Sequence, residues 1–286
     1  MNNSLPVVPH PVNEPVLSFA PGSAERDSLK SQLESIQADQ LEIPVIIGGE
    51  DVFTKDVKTV TAPHRHDLTL GTAHMAGSPE VEQAIDAALK ARVEWAATPW
   101  TERAAIFLRA ADLLAGPWRD KMNAATMLGQ SKNCYQAEID AACELIDFFR
   151  FNAHFMQQIY EDQPISSPGV WNRLQYRALE GFVFAVTPFN FSSIAGNLPS
   201  APALMGNTVV WKPASSSVYS AHFIMNLLEE AGLPPGVINL VPGSGGSIGD
   251  PVLASPDLAG IHFTGSPAVF KGMWEPVSYT HLRAHE

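Results

Sequence analysis

The sequence predicts an α/β fold built on a parallel β-sheet. Four short apolar runs in the second half of the chain are bounded by turn residues and recur every 20 to 30 residues. Segments with helical spacing lie between the first three runs, and this order is typical of parallel sheets covered on both faces. The predicted strands are Gly181–Val186, Thr208–Trp211, Val237–Val241 and Gly260–Phe263, and the predicted helices between them are Ser192–Leu204 and Ser217–Ala231.

The first half of the chain predicts an N-terminal region of helices with a hairpin. Residues 1–22 are proline-rich and suggest an extended arm, whereas residues 61–77 suggest a loop. Gly48 and Gly49 separate two short apolar runs, which is typical of a β-hairpin. The other predicted elements are a helix within 24–40, a strand at Lys58–Thr61, a helix capped by Ser78, a helix capped by Thr101 and a long helix over 136–160.

Composition excludes several classes of protein. The 286 residues include 18 Lys and Arg against 30 Asp and Glu, a net charge of −12. This balance argues against a nucleic-acid partner, because such surfaces need clustered cations. No apolar run approaches the ~20 residues needed to span a bilayer, and no basic leader with an apolar core is visible. We therefore expect a cytoplasmic bacterial protein without membrane partners, with the mitochondrial matrix as the alternative compartment.

Polar side chains follow the first two predicted strands, where ligands of parallel sheets bind. The amide of Asn190 could donate a hydrogen bond to a developing oxyanion, or it could cap the following helix. Lys212 could bind a ribose hydroxyl or a phosphate, or it could be a solvated surface lysine.

Glycines follow the other two strands. Gly243, Gly245 and Gly249 do not fit the G-x-G-x-x-G spacing, but they could allow backbone to approach a ligand closely, or they could form a plain turn. Gly265 and Ser266 precede a predicted helix, whose first N–H groups would suit a pyrophosphate. Ser266 could equally be an ordinary N-cap.

The cysteines and histidines predict neither a nucleophile nor a metal site. Cys134 and Cys143 lie on or beside the long helix, where we expect small buried side chains. His64 and His66 have no evident third partner for a metal ion.

Taken in order, the strand-end motifs resemble those of the aldehyde dehydrogenase superfamily. Within it, the chain is similar to the branch that oxidises L-glutamate γ-semialdehyde, formed from 1-pyrroline-5-carboxylate, in proline catabolism. The superfamily motifs are Thr187–Phe191, Trp211–Pro213, Gly232–Val237 and Phe263–Ser266. The similarity to the branch is carried, between residue 13 and Glu275, by Asn13–Leu17, Gly22–Asp27, Gln136–Ala142, Glu144–Ala153, Leu179–Val183 and Ala201–Asn207.

This resemblance implies a Rossmann-like domain that binds NAD, and an aldehyde as substrate. Asn190 would stabilise the oxyanion and Phe191 would flank the aldehyde chain. Glu144 would pair with the substrate ammonium, although it could instead be a solvated carboxylate on the same helix face as Asp140 and Asp147. The positions implied to contact NAD are Thr187, Pro188, Lys212, Ser215, Gly245, Gly265 and Ser266.

The resemblance also implies a division of the chain. An N-terminal arm and helix (1–40) would precede an NAD-binding domain (41–162 and 181–276), which is interrupted by part of an oligomerisation flap (163–180). A homo-oligomer is therefore expected for the full-length protein. The last ten residues, 277–286, are polar and unlike the family, so we expect them to be an artefact that does not continue the preceding helix.

Two departures from the family bear on activity. Ser215 stands where NAD-dependent relatives often have a glutamate, although NAD remains the expected cofactor. The family's nucleophilic cysteine and glutamate base lie beyond Phe263–Ser266, and nothing here occupies either position. We expect the catalytic domain to be absent and the chain as written to be inactive. The alternatives are a non-catalytic nucleotide-binding fragment and a dehydrogenase of another aldehyde.

Overall fold

Two β-sheets organise the protein. The computed structural model describes residues 6–282, so residues 1–5 of the predicted arm and 283–286 of the predicted tail lie outside it. In the described part the strands are β1 (Leu41–Ile43), β2 (Val45–Ile47), β3 (Glu50–Val52), β4 (Val57–Ala62), β5 (Arg65–His74), β6 (Phe182–Val186), β7 (Thr208–Lys212), β8 (Ile238–Leu240) and β9 (Leu258–Phe263). The large sheet has the order β3-β2-β8-β7-β6-β9, and the small one has the order β1-β5-β4.

The large sheet confirms the predicted α/β fold. Strands β6 to β9 are the four predicted strands and pair in parallel. The hairpin β2–β3 extends the sheet in antiparallel orientation, with Ile46 opposite Leu240. The sheet is therefore mixed, with a parallel core that ends in an antiparallel edge.

Strand β6 shows why these apolar runs form the centre of the sheet. Phe182 and Phe184 pack into the core on one face, whereas Val183 and Ala185 pack into the core on the other. A strand covered on both faces must be apolar at every position. Because β6 pairs in parallel with β7 and with β9, the carboxyl ends of these three strands emerge together at one edge of the sheet.

The small sheet corrects one prediction. Residues 61–77 are largely strand rather than loop, because β5 pairs with β4 over its length and with the short strand β1. Polar and exposed residues at the start of β5 hide the pattern. At Gly71 an added Cβ would lie 2.2 Å from the carbonyl oxygen of Leu41. Glycine is needed there because the two backbones approach so closely.

Helices cover both faces of the large sheet. In the described part they are α1 (Ala24–Ala38), α2 (Ser78–Ala97), α3 (Trp100–Ala115), α4 (Arg119–Gln130), α5 (Cys134–Ala137), α6 (Leu145–Glu161), α7 (Ser192–Leu204), α8 (Val218–Glu230), α9 (Gly245–Ala254) and α10 (Pro267–Leu282). Helices α2, α9 and α10 pack on the Phe182 face, whereas α3, α4, α6, α7 and α8 lie on the Trp211 face. No described helix is both long and apolar enough to cross a membrane.

The helices differ from prediction in two further respects. Helix α4 was not predicted, because small and polar residues dilute its buried face. The N-caps are Gly77 and Pro99 rather than Ser78 and Thr101. In α2 the carboxylate of Glu80 accepts from the backbone N–H of Gly77 at 2.8 Å, so a glycine can occupy the cap position.

The predicted long helix contains a π-helical stretch. Residues Glu138–Glu144, called the π segment here, join α5 to α6 without a break in the helix. Such segments are rare and often occur at functional sites. Three of its carboxylates, Glu138, Asp140 and Glu144, make the contacts described below.

The last helix corrects the expectation that helical spacing ends before residue 277. Helix α10 continues to Leu282. Met273 and Val277 are one helical turn apart and both pack against the core on the Phe182 face. This apolar pair extends the buried stripe of the helix.

The predicted flap segment, 163–180, has no regular strand. Most of its side chains are exposed, among them Ile165, Trp171 and Leu174. The segment lies between α6 and β6, outside both sheets.

Candidate functional site

The turn after β6 presents Asn190 to solvent. Thr187 is buried at its start, where its hydroxyl oxygen accepts a hydrogen bond from the indole Nε1 of Trp211 at 3.0 Å. Phe191, not Asn190, is the N-cap of α7, so the helix-cap alternative for Asn190 is excluded. The Asn190 side chain makes no hydrogen bond to the described part of the chain, and its amide is free to donate.

A buried carboxylate from another helix caps α7 instead. The backbone N–H groups of Ser192 and Ser193 donate to Asp140 at 3.0 and 2.9 Å. The hydroxyl oxygen of Ser193 lies 2.8 Å from Asp140 Oδ1 and 2.9 Å from Glu144 Oε2, so the two carboxylates share its single proton. Lys132 pairs with the Asp140 carboxylate at 2.5 Å. We call Lys132, Asp140, Ser192 and Ser193 the turn cluster. Asp140 is 2% exposed, so it is not one of the solvated carboxylates that the helix pattern suggested.

Glu144 and Phe191 line one open cavity of about 520 Å³. The shared hydroxyl of Ser193, 2.9 Å from Glu144, directs one oxygen of that carboxylate. Phenylalanines from α6 and Ile194 of α7 form the rest of the apolar wall, and Asn13, Asp147 and Asn152 add polar groups. The cavity therefore combines an apolar lining with a carboxylate, which suits a small ligand that carries a cationic group.

Lys212 lies half-buried at the end of β7. Its ammonium donates to the carbonyl of Pro213 at 3.2 Å, and among the described residues it has no carboxylate partner. Burial lowers the pKa of Lys212. It is therefore not a solvated surface lysine, and its remaining N–H donors are available to a ligand oxygen.

Hydrogen bonds connect the loops that follow the parallel strands. Ser215, after β7, donates to the carbonyl of Gly243, after β8, at 3.2 Å. The N–H of Thr264, after β9, donates to the carbonyl of Val186 at 3.2 Å. The strand ends are therefore held as one edge, as expected for a ligand site of a parallel sheet.

The glycines and Ser266 occupy turns at this edge. A Cβ added at Gly245 would meet nothing within 4 Å, so open space faces the first turn of α9. At Gly265 an added Cβ would lie 2.4 Å from the ring of Phe263. Ser266 caps α10 by accepting from the N–H of Val269 at 3.3 Å. The N-cap alternative for Ser266 is thus correct, and the helix start next to it remains exposed.

The two cysteines lie away from this edge. Cys134 is partly buried, whereas Cys143 is buried beside Glu138 and Arg119. Burial and the charge of Glu138 raise the pKa of Cys143 to about 12. A thiol with so high a pKa is a poor nucleophile at neutral pH. Among the described residues, no group of three or more His, Cys, Asp or Glu side chains converges as a metal site would require.

Fold and site together define the class of the protein: an α/β domain with a ligand site at the carboxyl ends of its parallel strands. Comparison with known proteins gives the family. The chain belongs to the aldehyde dehydrogenase family, whose sequence profile matches residues 53–283. The match includes most of the segment 277–286, which we expected to lie outside the family.

Several individual members of the family are similar to this chain over nearly all of its length. The delta-1-pyrroline-5-carboxylate dehydrogenase of Agaricus bisporus is 52% identical over 95% of this chain, and its mitochondrial namesake in Mus musculus is 48% identical over 93%. The crystal structure of the Delta-pyrroline-5-carboxylate dehydrogenase from Mycobacterium tuberculosis bound with NAD superposes over 100% of the chain with a TM-score of 0.97 and 56% identity. The chain spans 50%, 47% and 54% of these three proteins, about half of each.

Sequence reasoning missed the turn cluster. Asp140 and Ser192 are 52 residues apart, and nothing local in the sequence indicates that they meet. A signal was present in the spacing of Asp140 and Glu144, which places both carboxylates on one helix face. That face turns toward α7 rather than toward solvent.

Proposed function

We propose that this chain is the NAD-binding half of a dehydrogenase that oxidises L-glutamate γ-semialdehyde, derived from 1-pyrroline-5-carboxylate, to L-glutamate. The observation that carries the proposal is the cavity that Glu144 and Phe191 share beside the Asn190 turn. The similarity to the NAD-bound Mycobacterium tuberculosis protein supports it. In this proposal residues 41–162 and 181–276 form the NAD-binding unit.

The residues at the strand ends fit NAD. Lys212 offers donors without a carboxylate competitor among the described residues, which suits ribose hydroxyls. Open space at Gly245 and the exposed helix start after Ser266 suit the dinucleotide backbone. Thr187, Pro188, Ser215 and Gly265 complete the proposed contact set. When bound, NAD supplies the hydride acceptor.

The chain's own residues would act on the aldehyde. The Asn190 amide would donate to the aldehyde oxygen as negative charge develops there; a donor of this kind contributes about 3–4 kcal/mol to transition-state stabilisation. Glu144 would pair with the substrate ammonium, and the ring of Phe191 would pack against the aldehyde chain. Cys143 cannot serve as the nucleophile, because its thiol is buried and protonated.

Titration of the 286-residue chain with NAD by isothermal calorimetry tests the first step. We expect saturable binding at one site. Lys212→Met should weaken it about tenfold, since one charge-assisted hydrogen bond is lost and tenfold corresponds to about 1.4 kcal/mol. Lys121→Met is the matched control, because Lys121 lies on α4 with its ammonium over the ring of Trp118 and is not among the proposed NAD contacts. Absence of binding, or equal loss in both variants, would contradict the proposed site.

The second step uses a chimera in which this chain continues into the C-terminal half of the Mycobacterium tuberculosis relative. The chimera should reduce NAD with glutamate γ-semialdehyde, whereas the 286-residue chain should not. A chimera that binds NAD but oxidises only other aldehydes would favour another substrate. One that binds NAD and oxidises none would favour a non-catalytic nucleotide-binding domain.

We also propose that the protein forms a homo-oligomer in a bacterial cytoplasm. The exposed apolar side chains of segment 163–180 support self-association, and the 56% identity to a bacterial protein supports the compartment. Light scattering of the chimera would overturn the first point if it showed only a monomer, and fractionation of the source cells tests the second.

A further inference from the structure

The Asn190 side chain depends on its backbone for its position. Because it makes no hydrogen bond to the described residues, its position follows the backbone of the turn, which is anchored on both sides. The first anchor is the bond between Trp211 and Thr187. The second is Asp140, which accepts from the backbone of Ser192 and Ser193, immediately after Asn190 and Phe191.

Lys132 connects this second anchor to Phe191. Its ammonium lies 2.5 Å from an Asp140 carboxylate oxygen and 4.4 Å from the centre of the Phe191 ring. A cation over an aromatic face is attractive, more so where water is largely excluded. The Lys132 side chain is 16% exposed and that of Asp140 is 3% exposed. One lysine therefore holds both the carboxylate and the ring.

We propose that Lys132 and Asp140 are positioning residues that fix Asn190 and Phe191 for aldehyde oxidation. This inference rests on the proposed function. Asp140 also shares the proton of the Ser193 hydroxyl with Glu144. The same carboxylate thus links the oxyanion donor to the group proposed to hold the substrate ammonium.

Energetics favour a positioning role over a purely stabilising one. A buried ion pair pays a large desolvation cost and is weak evidence for stability. Two backbone N–H groups bonded to one fixed carboxylate do restrict the turn. A shift of 1 Å in a reacting group can cost about 100-fold in rate, so a small displacement of Asn190 would matter more to catalysis than to folding.

Hydrogen exchange of the 286-residue chain tests the anchor without any activity. In Asp140→Asn and in Lys132→Met, we expect the amides of peptide 187–195 to exchange at least about tenfold faster, which is about 1.4 kcal/mol of lost protection. Peptide 208–212 of β7 should be unchanged. Asp120→Asn is the matched control, since Asp120 accepts from Ser28 on the protein surface. Unchanged exchange in 187–195, or faster exchange throughout the chain, overturns the inference.

Kinetics of the chimera test the consequence for catalysis. Lys132→Met should lower kcat by about 100-fold and leave the calorimetric Kd for NAD within about twofold. Lys132→Arg should restore most of kcat, because a guanidinium can pair with Asp140 and stack on Phe191. Loss of NAD affinity in parallel with kcat would indicate a general structural defect and overturn the inference.

The two proposals fail differently. An unsubstituted chimera that binds NAD and never oxidises the aldehyde overturns the proposed function, and the positioning role with it. An active chimera that is indifferent to Lys132→Met overturns the positioning role alone.

Discussion

The π segment contains two buried carboxylates, two residues apart, that bind different groups of residues. Glu138 enters an arm cluster, which we define as Glu14, Arg119, Glu138 and Arg150. Asp140 enters the turn cluster. The arm cluster fastens the N-terminal arm to α4 and α6, whereas the turn cluster caps α7 below Asn190. Burial and charge are similar for the two carboxylates, so they do not distinguish a structural role from a positioning role. The distinction comes from the helices and turns that each carboxylate connects.

The arm cluster should carry the larger share of stability. Glu138 is 0% exposed, pairs with Arg119 and accepts from Asn123 at 2.8 Å. Glu138→Gln should lower the free energy of unfolding by about 3 kcal/mol, because the cluster then holds two arginines, Arg119 and Arg150, against the single carboxylate of Glu14. Urea denaturation measures the change. The control is Glu180→Gln, which breaks the exposed pair with Arg177 and should cost less than about 1 kcal/mol. Equal effects of the two variants would remove the distinction between buried and exposed pairs.

The arm cluster should also be sensitive to acid. Burial raises the pKa of Glu14, but its hydrogen bonds and charge interactions with Arg119 and Arg150 outweigh burial and leave the pKa below the ordinary value. A depressed pKa in the folded state gives stability that is full above the unfolded pKa and is lost as the pH falls through the folded pKa. The difference in Tm between the wild type and Glu14→Gln should therefore shrink from about pH 7 to about pH 3.

Glu34→Gln is the control for that pH series, because Glu34 is exposed on α1. Its difference in Tm from the wild type should stay small at every pH. If the difference in Tm between the wild type and Glu14→Gln is the same at every pH, the folded cluster does not favour the ionised form of Glu14 over the protonated form.

Ser193→Ala should have the smallest effect. It removes two hydroxyl contacts, to Asp140 and Glu144, but keeps the backbone N–H bond that caps α7. We expect a loss of about 1 kcal/mol in unfolding free energy, measured by urea denaturation. A loss as large as that of Glu138→Gln would show that the two clusters are equally structural and would remove the contrast between them.

The parallel core of the fold could be predicted from sequence because both faces of each strand are buried. Strand β6 and the Val209–Trp211 stretch of β7 are continuous apolar runs, and the other parallel strands follow at intervals of about 20 to 30 residues. Strand β5 could not be predicted, because polar residues and Gly71 interrupt its alternation. Helix α4 was missed because its buried face uses Asn123 and Thr126 as well as Met122.

The candidate site was predictable only where chain order determines position. Asn190 and Lys212 follow adjacent parallel strands, so topology alone places them at one edge. Asp140 depends on how α7 packs against the π segment. This packing brings together residues that are far apart in the chain. The local sequence pattern therefore cannot show whether a carboxylate such as Asp140 is solvated or buried.

The length of the π segment sets the orientation of α6 relative to α5. A π turn holds more residues than an α turn, and each residue advances a helix by about 100°. Gain or loss of a single residue here would rotate α6 relative to α5. The wall of the Glu144 cavity would turn with α6, and so would Asp147 and Arg150, which bind Glu14 of the arm. The shape of the cavity and the attachment of the N-terminal arm are therefore coupled through the length of the π segment.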